Sequence, residues 1–460
     1  MVRGLAFPSR TPGWRAALCL LAALCLLLPD PAEAQRRTII RDAEIEDTIR
    51  LYSAPIFQAA GLSPSSITVY LVQDRSLNAF VTNGLQMFLH TGLLMEAEDP
   101  TEVIGVIAHE TGHISGGHVV GRIAEVQNAQ AKSLLTYLLG IGAAIASGRP
   151  EAGAAIISGG QDVALKSLLS YTRGQEQAAD QAAVRYLEAT GQSPQGLLNF
   201  MEVLNGQDVL LSANQDPYLR THPLTRERVT FLENAVANSK TRDKKPSAEL
   251  VERHDRMRAK LIGYLDAPRL VDRAYPQEDQ SLPARYARTI STYRQGDLGK
   301  AIGMIDELVA ENPDDPYFHE LKGQMLFEHG KLAEALPEYE KAIALSPNSP
   351  QIRLALAQLQ LETHDAALDK EALENLKVVL RHEPDNAFAW RLSAVAYGRL
   401  GDTGMFALSQ AENALRRGRF DEAQQQAVRA QGILPEYSAP WLQAQDVENL
   451  AKRLKEKRKN

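Results

Sequence analysis

The chain has 460 residues, of which 44% are hydrophobic and 23% charged, and a formal net charge of −7. That is enough apolar material for two or three ordinary globular cores, and it excludes a disordered or fibrous chain. The acidic balance argues against nucleic acid as a partner.

The N-terminus reads as a targeting segment. Arg3, Arg10 and Arg15 precede an apolar run from Ala16 to Leu28, followed by Pro29 and the small-residue site Ala32-Glu33-Ala34. This pattern predicts a secretory signal peptide over residues 1–34, cleaved before Gln35, with an uncleaved anchor as the alternative. The apolar run is short for a bilayer span. Cys19 and Cys25 both lie inside the leader, so the exported chain would form no disulfide even in an oxidising compartment. Leu18 and Leu24 stand where a lipid-attachment site would need a small residue. Removing three arginines and two acids with the leader takes the net charge to −8.

After the leader, Ile45, Ile49, Tyr52, Ile56 and Phe57 are spaced to bury one stripe of a helix from about Asp42 to Ala60. The β-branched run from Ser66 to Val72 predicts a strand, and two short extended pieces, Asn78 to Val81 and Leu85 to Leu89, flank a Thr82-Asn83-Gly84 turn. Together they predict a small antiparallel sheet. An exposed edge formed by Asn78, Ala79 and Phe80 could align a substrate peptide by strand addition, with a turn-capping role for Asn78 as the alternative.

The apolar run Val103 to Ala108 then leads into His109-Glu110-Thr111-Gly112-His113. On a helix His109 and His113 share one face and can grip one tetrahedral ion, and Glu110 sits beside the ion's open position as a proton acceptor. This is the H-E-x-x-H arrangement of metalloproteases. A third protein ligand is needed. The best candidate is Glu176, with Asp180 one turn further on to accept the second ring N–H of a ligand histidine, against a solvated acidic face as the alternative. His118 is rejected as that ligand, because on a continuing helix it would lie about 140° around from His113. Between the two motifs, residues 134–146 are apolar and followed by a glycine-rich stretch to Gly160. They predict a mobile flap over the active-site groove or a plain core hairpin, with peripheral membrane contact as a third option.

Downstream come Tyr218 and Thr221-His222-Pro223, with His222 held extended by the proline before a new helix begins. A polar break from Asn238 to Pro246 follows, then a bridging helix from about Ala248 to Tyr264. Beyond Pro283 a 34-residue period appears, with Gly296, Ala301 and Pro313 recurring as Gly330, Ala335 and Pro347. That is the tetratricopeptide period, and Gly323, Tyr339 and Ala342 occupy its signature positions. A third unit ends late at Pro384 because of an insertion around His364 to Lys370, and Trp390, Ala394 and Tyr397 mark a fourth. Such stacks present a concave surface for a polypeptide, with a spacer or lid as the alternative. The basic end from Lys452 to Lys459 suits a solvated helix terminus.

Through His109-Glu110-x-x-His113, Glu176-x-x-x-Asp180 and Thr221-His222-Pro223, the chain resembles the HtpX-like and CAAX-prenyl-protease-like zinc metallopeptidases, most closely their exported branch with a helical-repeat tail. The resemblance implies one zinc ion held by His109, His113 and Glu176, with Glu110 as catalytic base. It places His222 at the active site, where it can fill the fourth coordination position and block water. It makes Arg228, like Tyr218 or a displaced His222, a candidate to stabilise the oxyanion. It also implies a periplasmic location and outer-membrane assembly machinery as a partner of the repeats.

The resulting expectation is a mainly α chain. A zincin-like α+β protease domain over residues 35–240, a helical linker over 241–280, repeats over 281–437 and a C-terminal helix over 438–460 follow the leader. The favoured function is hydrolysis of misfolded or stalled envelope proteins; the alternative is a non-catalytic adaptor or chaperone with a latent zinc site.

Overall fold

A computed structural model describes residues 38–82, 85–118, 172–208, 218 and 221–457. The expected leader, its cysteines, the Asn83-Gly84 part of the turn, the 134–146 segment and the last two basic residues lie outside the described residues. Residues up to Ile39 form a unit apart from Ile40–Asn460, and the second unit is the one described below.

The first helix, α1 (Ala43–Ala59), starts where Asp42 accepts a hydrogen bond from the Ile45 amide, and the expected stripe of Ile45, Ile49, Tyr52, Ile56 and Phe57 is buried. A small mixed sheet of four strands includes β1 (Thr68–Gln73), β2 (Ala79–Thr82) and β3 (Gln86–His90). The expectation of a purely antiparallel sheet is corrected here. β3 pairs antiparallel with β2 but parallel with β1, Thr68 facing Gln86 and Val72 facing His90. Alternation alone reveals a strand but not its direction, because a half-buried strand has the same period of two in either pairing.

After α2 (Thr91–Glu96), α3 (Pro100–Ser115) runs through the core as the deepest helix, with every residue from Val103 to His113 buried. It packs against α4 (Arg173–Ala189) and α5 (Gln195–Asp208), and β2 lies against it. Gly112 makes the α3–α4 approach possible, since a Cβ there would come within 2.8 Å of the Ala179 carbonyl oxygen. α6 (Arg226–Asn238) closes the other side of α4.

The bridging helix α7 (Ala248–Leu265) and the short α8 (Pro268–Ala274) lead to paired helices. First members are α9 (Leu282–Arg294), α11 (Pro316–Glu328), α13 (Pro350–Glu362) and α15 (Ala387–Arg399). Second members are α10 (Leu298–Glu311), α12 (Leu332–Leu345), α14 (Ala366–His382) and α16 (Thr403–Arg416). The insertion near His364 appears as length, because α14 has 17 residues where α10 and α12 have 14. α17 (Phe420–Gln431) and α18 (Ala439–Lys457) finish the stack. One continuous apolar core runs from α1 and α3 through Met257 and Ile262 of α7 to Tyr286, Ile290 and Phe318 of the first repeats. Among the described residues, no helix is long and apolar enough to cross a membrane.

Candidate metal centre

Three local signals place the chemistry-bearing side chains. Asp99 caps α3 by accepting from the Thr101 amide, with Pro100 in the first turn. Thr172 and Gln175 form a reciprocal capping box at the start of α4. Thr225 caps α6. Each such cap stabilises its helix by about 1 kcal/mol and fixes where the following turns begin.

From those starts, α3 contributes His109, Glu110 and His113, α4 contributes Glu176 and Asp180, and the segment before α6 contributes His222. All six are fully buried. One donor atom from each of His109, His113, Glu176 and His222 falls within 4.8 Å of the other three. The Nε2 atoms of His109 and His113 are 3.1 Å apart. His109 Nε2 lies 3.5 Å from Glu176 Oε2, and His113 Nε2 lies 3.3 Å from Glu176 Oε1. His222 reaches Glu176 through Nδ1 at 3.1 Å and Glu110 through Nε2 at 3.5 Å. So many polar atoms buried together are tolerated only if something binds them. Imidazole nitrogens with a carboxylate oxygen are a donor set that fits a tetrahedral, borderline-soft divalent ion.

The electrostatics support that reading. Burial would raise the Glu176 carboxyl, but His222, His109 and His113 together hold it well below its ordinary range, as an anion. Burial pulls His109 down, yet its contacts to Asp180 and Glu176 prevail and raise it to about 9. Burial keeps His113 well below the usual range, in the neutral form that can offer a lone pair. The Glu110 carboxyl is pushed up by burial, and its oxygens accept no hydrogen bond among the described residues.

Behind these groups stands a second set of contacts. Asp180 Oδ1 lies 2.8 Å from His109 Nδ1. Arg228, 1% exposed, donates from Nε and Nη2 to both Asp180 oxygens at 2.7 and 2.9 Å, and from Nη1 to the Pro223 carbonyl at 3.0 Å. Its Nη1 also lies 2.6 Å from Glu176 Oε2. The guanidinium is therefore held among the carboxylates of Asp180 and Glu176. Tyr218 stacks on His222 with ring centroids 4.5 Å apart, and the His222 amide donates to the Tyr218 carbonyl at 2.7 Å.

β2 is an outer strand of the sheet and packs beside α3, so Ala79 and Phe80 lie at an edge near the cluster. The Asn78 and Ala79 side chains are buried and Phe80 stacks on Phe88, leaving main chain as what that edge can offer. His118 is outside the donor cluster, as its rejection as a ligand requires, but its Nδ1 lies 3.0 Å from His113 Nδ1. Sequence reasoning missed that contact, for which the preceding Gly116-Gly117 pair was the available signal.

Residues 40–236 match the model of peptidase family M48, and residues 286–350 match a tetratricopeptide repeat model. The first half of the chain is thus similar to peptidase family M48, and the second half carries tetratricopeptide repeats. It is similar to the beta-barrel assembly-enhancing protease of Yersinia pestis, at 25% identity over 77% of this chain and 72% of the relative. The protein of that name from Escherichia coli (strain K12) matches with the same identity and coverage. The metalloprotease YcaL of Escherichia coli (strain K12) is 26% identical over 39% of this chain and 65% of its own length.

Proposed function

We propose that the protein is an exported zinc endopeptidase whose repeats bring substrate, or a component of outer-membrane protein assembly, to the protease. The observation that carries this is the convergence of His109, His113, Glu176 and His222 within 4.8 Å, with the Glu110 carboxyl alongside. His109, His113 and Glu176 would hold the ion, which when bound acidifies water and polarises the scissile carbonyl. Glu110 takes the proton of the attacking water and returns it to the departing amine, a role favoured by a carboxyl whose pKa burial has raised. Asp180 fixes the His109 ring, and Arg228 locks Asp180 and Glu176 together. The outer strand carrying Ala79 and Phe80, with Asn78 just before it, aligns the substrate main chain. His222, already among the donors, would close the last position until it moved aside, leaving the resting enzyme latent.

The domain layout goes with this function: a leader over 1–34, protease over 35–240, linker over 241–280, repeats over 281–437 and a terminal helix over 438–460. The names of the relatives, which speak of beta-barrel assembly, support work on envelope proteins. The decisive experiment is elemental analysis of the purified chain with an unfolded polypeptide as substrate. One zinc per chain is expected, with cleavage abolished by a chelator and restored by zinc. A chain that cleaves equally well after metal removal would refute the proposal.

A further inference from the structure

We propose that His118 is the positioning residue for His113: its ring accepts the Nδ1–H of His113 and so holds that imidazole with Nε2 turned into the donor cluster. The inference rests on the metal-site reading above.

Two imidazoles on α3 face the same requirement. A histidine that offers Nε2 to a metal carries its proton on Nδ1, and that N–H needs an acceptor if ring and tautomer are to be fixed. For His109 the group at Nδ1 is the Asp180 carboxylate, 2.8 Å away. For His113 the described atom at Nδ1 is His118 Nδ1, at 3.0 Å, with the rings 5.1 Å apart and steeply inclined at 72°. The Nε2 atoms of the pair meanwhile point at each other and at Glu176. The two ligands are thus backed by different groups, one an anion and one a neutral-ring acceptor.

The local backbone is built for this contact. Had α3 continued, His118 would sit about 140° away from His113. Instead the helix stops at Ser115, and the Gly116 amide donates to the Gly112 carbonyl at 2.9 Å. Gly117 adopts φ +66°, which reverses the chain. A Cβ on Gly116 would lie 2.7 Å from His118 Nε2, so the ring folds directly over the helix end, into space that only glycine leaves free. At Gly117 a Cβ would meet nothing within 4 Å, so glycine is required there for its backbone angle alone.

The test is a zinc competition titration of the full chain against a chromophoric chelator, read beside the thermal midpoint of the metal-free protein. Losing an outer hydrogen-bond partner of a ligand weakens metal binding by about 10–100-fold, and that loss is expected for His118→Ala. His118→Gln, whose amide oxygen can accept the same N–H, should stay within about threefold of the parent. Gly117→Ala keeps the imidazole but opposes the turn, so it should weaken zinc as His118→Ala does, and it reads the same contact if that variant folds poorly. Metal-free midpoints should not move for the two His118 variants. Zinc affinity within about threefold of the parent in His118→Ala, or equal losses in His118→Ala and His118→Gln, would overturn the proposal. His109→Ala separates the two levels of the argument: undiminished zinc binding there refutes the metal site itself, whereas its loss with His118→Ala intact refutes only the positioning role.

Discussion

Among the described residues, buried charge gathers at the metal centre and where α1 meets α7 and the first repeats. At the junction, Glu44 receives Arg256 Nη2 at 2.7 Å and the Tyr286 hydroxyl at 2.8 Å. Lys260 Nζ lies 2.8 Å from Asp42 and 3.3 Å from Glu44. Arg256 also pairs with Asp315 and lies 4.5 Å over the Phe318 ring. Each of these charges has its opposite beside it, and although burial would raise the Glu44 carboxyl, Arg256 and Lys260 bring it below its ordinary value. At the metal centre the same depth of burial is finished differently. Glu110 accepts no hydrogen bond among the described residues, and four donor atoms converge on one another. Paired buried charge holds parts of a protein together, whereas convergent buried donors mark a place meant to bind something.

That contrast can be broken from either side. The largest effect is expected from Glu110→Gln, which should lower peptide-bond cleavage by about 10²–10⁴-fold while zinc content, measured in the same sample, stays at the parent level. If cleavage survives, Glu110 is not the base. Next, Lys260→Met strips a buried counter-charge from Asp42 and Glu44, and the unfolding free energy in urea should fall by about 3–5 kcal/mol. A drop under about 1 kcal/mol would mean that the junction charges do not hold the two halves together.

A slightly smaller effect comes from acid. His254 on α7 donates from Nε2 to the Ala97 carbonyl at 2.8 Å and accepts from the Tyr52 hydroxyl at 3.3 Å, and burial depresses it from 6.5 to about 4. Between those two values the unfolded chain binds the proton and the folded chain does not. Stability is therefore undiminished above pH 6.5 and declines as pH falls toward 4, by about 3 kcal/mol in all. In urea titrations from pH 7.5 to 4, His254→Gln should remove that share of the slope, and an unchanged slope would exclude His254 as its source. The smallest effect belongs to the exposed Lys331–Glu334 pair at 2.9 Å, where Lys331→Ala should change stability by less than about 0.5 kcal/mol. A larger loss would show that depth of burial is not what separates these pairs.

Much of the fold and site was legible because it is written in local periods. The stripe on α1, the spacing of His109 and His113, the Glu176 and Asp180 pair and the 34-residue recurrence all follow from helix geometry or repeat length. Strand direction in the sheet was not legible, since β1 and β3 alternate in the same way whether parallel or antiparallel. The setting of Arg228 was not legible for a related reason. A cationic side chain near an active site suits an oxyanion equally well on paper, and only its three-dimensional surroundings reveal Asp180, Glu176 and the Pro223 carbonyl around it.

The sequence by itself determined which side chains could bind a metal and where the helices and repeats begin, because those properties depend on residues within a turn or a period of one another. Tertiary structure alone decided that Glu176 and His222 meet the α3 histidines, that Arg228 faces carboxylates and that His118 turns back onto His113. Those outcomes depend on how closely helices distant in sequence can approach, on a glycine at the α3–α4 crossing and on one left-handed residue at the end of α3.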